Sequence, residues 1–74
     1  MDRSIDYVIA VAECRSISQA AEMLYISQPS LSRYLSNLEN ELGVNLFVRT
    51  LNGTELTEAG KIYLEDAKEI KLLR

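Results

Sequence analysis

The chain has no histidine, one cysteine and one proline among its 74 residues, and each scarcity removes a class of chemistry. Without imidazole there is no Ser-His-Asp or Cys-His relay and no histidine metal ligand. The lone Cys14 can form neither an internal disulfide nor a Cys-x-x-Cys site. It falls in an apolar run, which reads as a core thiol, and a free thiol suits a reducing, cytoplasmic setting. No apolar stretch approaches the roughly 20 residues that span a bilayer, and no signal-peptide pattern opens the chain. No catalytic grouping stands out, so neither a metal, nor a cofactor, nor an enzymatic activity is expected.

Positive charge is scarce too. The net charge of −3 is unlike that of most nucleic-acid-binding domains, which are basic. Its distribution along the chain is less hostile. Asp2, Asp6 and Glu13 outnumber Arg3 at the start, and Glu39, Glu41 and Glu55 outnumber Arg49 between residues 39 and 57. Residues 58–74 are balanced, whereas residues 15–38 hold Arg15 and Arg33 against Glu22 alone. That middle segment is the one positive stretch. Affinity from neutralising phosphates would be modest for one copy, which pushes a DNA-binding reading towards an oligomer.

What is present is helical periodicity with few breakers, in a chain near the lower size limit for a self-supporting core. A first helix is predicted over about Ser4 to Cys14, with Ile5, Val8, Ile9 and Ala12 on one face and Val11 beside them. Ser16 and Ser18 offer caps for a second helix of about two turns, Gln19 to Leu24. There Ala20 and Ala21 permit close helix packing, and Met23 and Leu24 supply core bulk. Tyr25-Ile26 forms a turn. Ser27 caps a third helix, with Pro29 near its first position and Gly43 at its end. Leu31, Leu35, Leu38 and Leu42 give that helix one apolar stripe. Leu46 or Phe47 closes the core. Asn52-Gly53 predicts a hairpin turn between Arg49-Thr50-Leu51 and Thr54-Glu55-Leu56, a small β-wing. Thr57 then caps a last helix beginning at Glu58.

The expected fold is therefore mainly α: a winged helix-turn-helix with a three-helix core, a β-hairpin wing and a C-terminal linker helix. Its expected division is a DNA-binding unit over residues 1–57 and a linker or dimerisation helix over 58–74. A second helix after a tight turn, free of acid until Glu39, suits the major groove of double-stranded DNA. Gln28 can pair with adenine and Arg33 with guanine, each worth about 1–3 kcal/mol of discrimination. Ser27, Ser30 and Ser32 can bond phosphates or bases, and Pro29 offers an apolar surface to a thymine methyl. Arg49, with the Asn52-Gly53 tip, can approach the minor groove. On the last helix Ile62, Tyr63, Ala67 and Ile70 are candidates for pairing with a second copy, or for packing on the first helix. A protein-binding winged helix is the competing reading, favoured by the acidic balance.

The order and spacing of several blocks carry a resemblance. They are Val8-x-x-Val11-Ala12-Glu13; Ser16-Ile17-Ser18-x-Ala20-Ala21-x-x-Leu24; Ile26-Ser27-Gln28-Pro29-Ser30-Leu31-Ser32-Arg33; Leu38-Glu39-x-Glu41-Leu42-Gly43-Val44-x-Leu46-Phe47-x-Arg49-Thr50; and Leu56-Thr57-Glu58-Ala59-Gly60. Together they resemble the N-terminal DNA-binding domain of LysR-type transcriptional regulators over nearly the whole chain. The resemblance implies a bacterial regulator with its recognition helix starting near Ser27 and a wing that includes Arg49. It implies that Gln28, Pro29, Ser32 and Arg33 occupy base- and phosphate-contacting places, and that the last helix pairs two subunits. It also implies a small-molecule effector acting through a domain that is not in this sequence. The wing tip, Leu51-Asn52-Gly53-Thr54-Glu55, departs from the family in lacking an extra basic residue. The chain begins like a true N-terminus and stops inside a periodic helix, so the expectation is a fragment of a longer regulator.

Overall fold

A computed structural model describes residues 3–72, and the side chains of residues 3–66. Four helices and one hairpin follow in order: α1 (Ser4–Cys14), α2 (Ile17–Leu24), α3 (Gln28–Leu42), β1 (Phe47–Thr50), β2 (Gly53–Leu56) and α4 (Glu58–Leu72). This is the expected winged helix-turn-helix. Helix α1 packs on all three other helices, and β2 lies against it.

Helices α2 and α3 each start on a serine cap. Ser16 Oγ accepts from the Gln19 N–H at 3.1 Å, so α2 starts at Ile17, two residues before the expected Gln19. Ser16, not Ser18, is the cap, because its extended backbone turns the hydroxyl back onto the first turn. Ser27 Oγ accepts from the Ser30 N–H at 3.2 Å and opens α3, with Pro29 in its first turn. Gly43, at φ 75°, closes it as predicted. Helices α1 and α2 end instead on Arg15 and Tyr25, both left-handed at φ 55° and 59°. Both sequence positions lack the glycine that usually marks such an end.

The core consists of Val8, Ala10, Val11, Ala20, Ala21, Leu31, Leu35 and Leu46. Leu46 fills the closing role, with Phe47 half-buried beside it. On α1 the most buried stripe is Ser4, Val8 and Val11, whereas Ile5, Ile9 and Ala12 are only half-buried. Ser4 belongs inside because its hydroxyl lies 2.9 Å from the Tyr34 hydroxyl, and Tyr34 in turn meets Tyr7 edge-on at 4.7 Å. Two expected core residues lie outside. Leu42 is 44% exposed because α3 outruns the short helices beneath it, and Met23 is 51% exposed because α2 buries its alanines instead. Cys14 is half-buried against the core.

The wing pairs Phe47 with Leu56 and Thr50 with Gly53, which leaves Leu51 and Asn52 as the loop. The turn is thus one residue earlier than the expected Asn52-Gly53. An Asn-Gly turn of that kind needs positive φ at both central residues, and here only Gly53 has it, at 110°. Thr50 Oγ1 accepts the Asn52 N–H at 3.1 Å and so fixes the earlier turn. The Thr54 N–H donates to the Arg15 carbonyl at 3.1 Å and ties the wing to the end of α1. A Cβ on Gly53 would stand 2.6 Å from that same carbonyl oxygen, so no other residue fits there.

Candidate nucleic-acid interface

The direction in which α3 faces is set by its inner side. Leu31 and Leu35 are buried, Leu38 packs on the core and Tyr34 is held from α1. With 3.6 residues per turn, the opposite side must then face outward. Pro29, Ser30, Arg33, Ser36 and Asn37 are exposed there, and Gln28, which by spacing lies on the side of Leu31 and Leu35, is exposed because it stands at the first position of the helix. Ser32 is half-buried, and it lines the groove between α3 and the wing together with Ser36, Phe47 and Arg49. The structure therefore brings Ser32 and Arg49 to one groove, although 17 positions separate them in sequence.

Hydrogen bonds divide the first turn of α3 between structure and availability. Ser27 Oγ takes the Ser30 N–H and donates its own proton to Ser30 Oγ at 2.8 Å. Ser27 is thus a structural cap, whereas the Ser30 hydroxyl proton stays uncommitted. Pro29 brings no N–H, so this N-terminus offers an anion its dipole and its hydroxyls more than its amides. Gln28 Oε1 accepts from Ser18 Oγ at 2.8 Å. Ser18 is therefore a partner of Gln28 and not a second cap, a contact that no local sequence pattern signals, since the two stand ten positions apart on two helices.

Charge is distributed in favour of the same face. Glu39, the first acid of α3, accepts the Leu46 and Phe47 N–H groups at 2.7 and 3.3 Å and so ties the helix to the start of the wing. Arg15 and Glu55 form an ion pair at 3.0 Å, the single one among the described residues. The Thr50 hydroxyl lies 2.8 Å from the same Glu55 oxygen, and its hydrogen bond, opposed by desolvation and aided by the Arg15 charge, lowers the Glu55 pKa. Arg15 is therefore engaged within the fold. Arg33 and Arg49 have no carboxylate partner among the described residues.

Within the wing, Arg49 and Asn52 are exposed, and Leu51 is fully so. Gly53 is half-buried on the Arg15 carbonyl, where it shapes the wing instead of extending from it. On α4, Ile62 is 57% exposed, whereas Tyr63 and Leu64 pack on the core. Ala67 and Ile70 fall in α4 but outside the residues whose side chains are described. Among the described residues no helix is long and apolar enough to cross a membrane.

Comparison with known proteins places this arrangement. The family model described as "Bacterial regulatory helix-turn-helix protein, lysR family" matches residues 3–61. The HTH-type transcriptional regulator TfdT of Cupriavidus pinatubonensis is 45% identical over 71 residues, covering 96% of this chain and 31% of that protein. ClcR of Pseudomonas putida is 52% identical over 68 residues, covering 92% of this chain and 23% of that one. The chain thus spans only a quarter to a third of these curated relatives. Among solved structures, the CbnR_DBD–DNA complex superposes with a TM-score of 0.88 at 46% identity, over 99% of this chain and 85% of that one. The BenM_DBD/catB site 1 DNA complex gives 0.85 at 42% identity, over 99% and 77%. On a matched family model that covers most of its length, and on these relatives, the chain belongs to the lysR family of bacterial regulatory helix-turn-helix proteins.

Proposed function

We propose that the chain is a sequence-specific head for double-stranded DNA, with α3 in the major groove and the wing directed at the minor groove. One observation carries the reading: a capped helix exposes Gln28, Ser30 and Arg33 with no acid before Glu39, while Arg49 of the wing shares one groove with Ser32 and Ser36 and another with Gln28. Ser27 and Pro29 set how that helix enters, and Asn52 and Gly53 set how the wing reaches. The relatives whose structures hold DNA share this fold at high identity, which supports the same use here. In this reading residues 1–57 form the DNA-binding unit, and α4 with the residues after it links two copies. Ile62 is the outward apolar position of that link, and Ala67 and Ile70 follow Tyr63 four and seven positions on, at helical spacing. Tyr63 serves it indirectly, by seating α4 on the core. A small-molecule effector would act through a domain beyond this sequence, in a bacterial cytoplasm.

The test is selection of duplexes from a random pool, then anisotropy titration of the winner with the parent and Arg33→Ala proteins. A two-fold-symmetric winner, bound by the parent and lost in Arg33→Ala, is the expected result. Binding should weaken with salt at a slope on the order of −0.9 per phosphate neutralised. The net charge of −3 favours a second reading, a winged helix that binds protein. No enrichment at low salt would support it and refute the first.

A further inference from the structure

We propose that Ser18 is a positioning residue for base selection, acting through Gln28 from the preceding helix. The inference rests on the reading that Gln28 meets a base edge. The Ser18 hydroxyl donates to Gln28 Oε1 at 2.8 Å, across the turn of the helix-turn-helix. Ser18 is free to do this because Ser16 already caps α2. Gln28 stands at the first position of α3, where one end of the helix leaves its side chain without flanking neighbours to hold it.

A glutamine amide reads adenine only in one orientation. Its oxygen must accept from the adenine N6 amine while its nitrogen donates to N7. A free amide flips between two faces that differ by exchanging oxygen and nitrogen, and only one of them matches. A hydroxyl that donates to Oε1 holds the amide in the orientation present here. It occupies one lone pair of the oxygen, leaves the second for the adenine amine, and leaves both Nε2 protons free to donate. Ser18 and Gln28 also line one groove with Arg15, Ser16, Arg49 and Thr54, so the held amide sits at the mouth of the space between the turn and the wing. Removing the hydroxyl should leave the amide free to present either edge, and discrimination should fall while overall affinity changes little.

The experiment titrates four proteins (parent, Ser18→Ala, Gln28→Ala and the double variant) against two duplexes. One is the duplex selected by the parent; the other changes the base pair at which Gln28→Ala loses its preference. Ser18→Ala should lower the ratio of the two dissociation constants about three- to tenfold, the range of one neutral hydrogen bond. Its salt slope should match the parent's, since no cation is removed. The double variant should discriminate no worse than Gln28→Ala alone, because both changes act through one amide. Ser18→Thr, which keeps the hydroxyl, should restore selectivity. In the free protein, the Gln28 side-chain amide should gain mobility by NMR in Ser18→Ala. An unchanged ratio in Ser18→Ala, or additive losses in the double variant, would overturn the inference with the DNA-binding reading intact. A parent that binds no duplex would overturn both together.

Discussion

Gly60→Ala sets helix propensity against packing, and the structure says which should win. In an exposed helix, alanine is favoured over glycine by about 1 kcal/mol. Gly60 lies in the first turn of α4 and is buried, and there an added Cβ would collide with the Leu46 carbonyl oxygen and stand 2.9 Å from Leu56 Cδ2. That oxygen cannot swing aside. It accepts the Thr57 N–H at 2.9 Å, while the Leu46 N–H is itself held by Glu39 at 2.7 Å. Helix α4 must therefore retreat, at an overpacking cost of about 1–3 kcal/mol. The stretched Thr57 hydrogen bond adds about 1 kcal/mol, which cancels the propensity gain of similar size. The net loss of about 1–3 kcal/mol is a large share of the few to roughly ten available to a chain this short. Thermal unfolding by circular dichroism should show a midpoint lower by about 5–20 °C. Gly43→Ala is the control. It has φ 75° and no atom within 4 Å of the added Cβ, so only the left-handed strain of about 1–2 kcal/mol is at issue. A Gly60→Ala protein that melts at or above the parent temperature would refute the packing argument.

Further outcomes follow from other contacts. Tyr25 is 95% exposed and left-handed at φ 59°. Tyr25→Gly should therefore stabilise the domain in urea titration by up to about 1 kcal/mol, the relieved strain less the entropy of glycine; a lower midpoint would contradict it. Ser27→Ala removes the α3 cap and should cost about 1 kcal/mol by the same measurement. Because the Glu55 pKa is lowered below its ordinary value of 4.5, its contribution is full above that value and is lost as pH falls through the lower folded one. The stability gap between parent and Glu55→Gln should therefore hold steady near neutrality and close in acid. A gap that persists in strong acid would assign the effect to packing. Arg49→Ala should weaken binding to all duplexes more evenly than Arg33→Ala and reduce the salt slope, measured by anisotropy at several salt concentrations.

The elements were legible because most of their signals are local. Ser27, Pro29 and Gly43 mark the two ends of α3 by hydrogen-bond and φ chemistry that involves only neighbouring residues. The spacing of Leu31, Leu35 and Leu38 fixes the inner face, and with it the outward side chains, Ser30 and Arg33. Less legible were positions where two signals competed. Asn52-Gly53 is a strong turn pair, yet the Thr50 hydroxyl and the Arg15 carbonyl together moved the turn one residue earlier. Met23 and Leu42 are as apolar as their neighbours, and only the placement of the other helices decides that they stay outside.

Caps, glycines and apolar periodicity act over a few residues, so the helices, the wing and the acid-free start of α3 follow from the order of residues along the chain. Tertiary structure alone decided which polar groups are spent and which are left to act. Arg15 is paired with Glu55 forty positions away, and Glu39 is spent on the backbone of Leu46 and Phe47. Ser18 meets Gln28 across a turn, and Arg49 joins Ser32 in one groove. Those pairings depend on how the helices pack, and the packing follows from the burial of the whole core, not from any one stretch of residues.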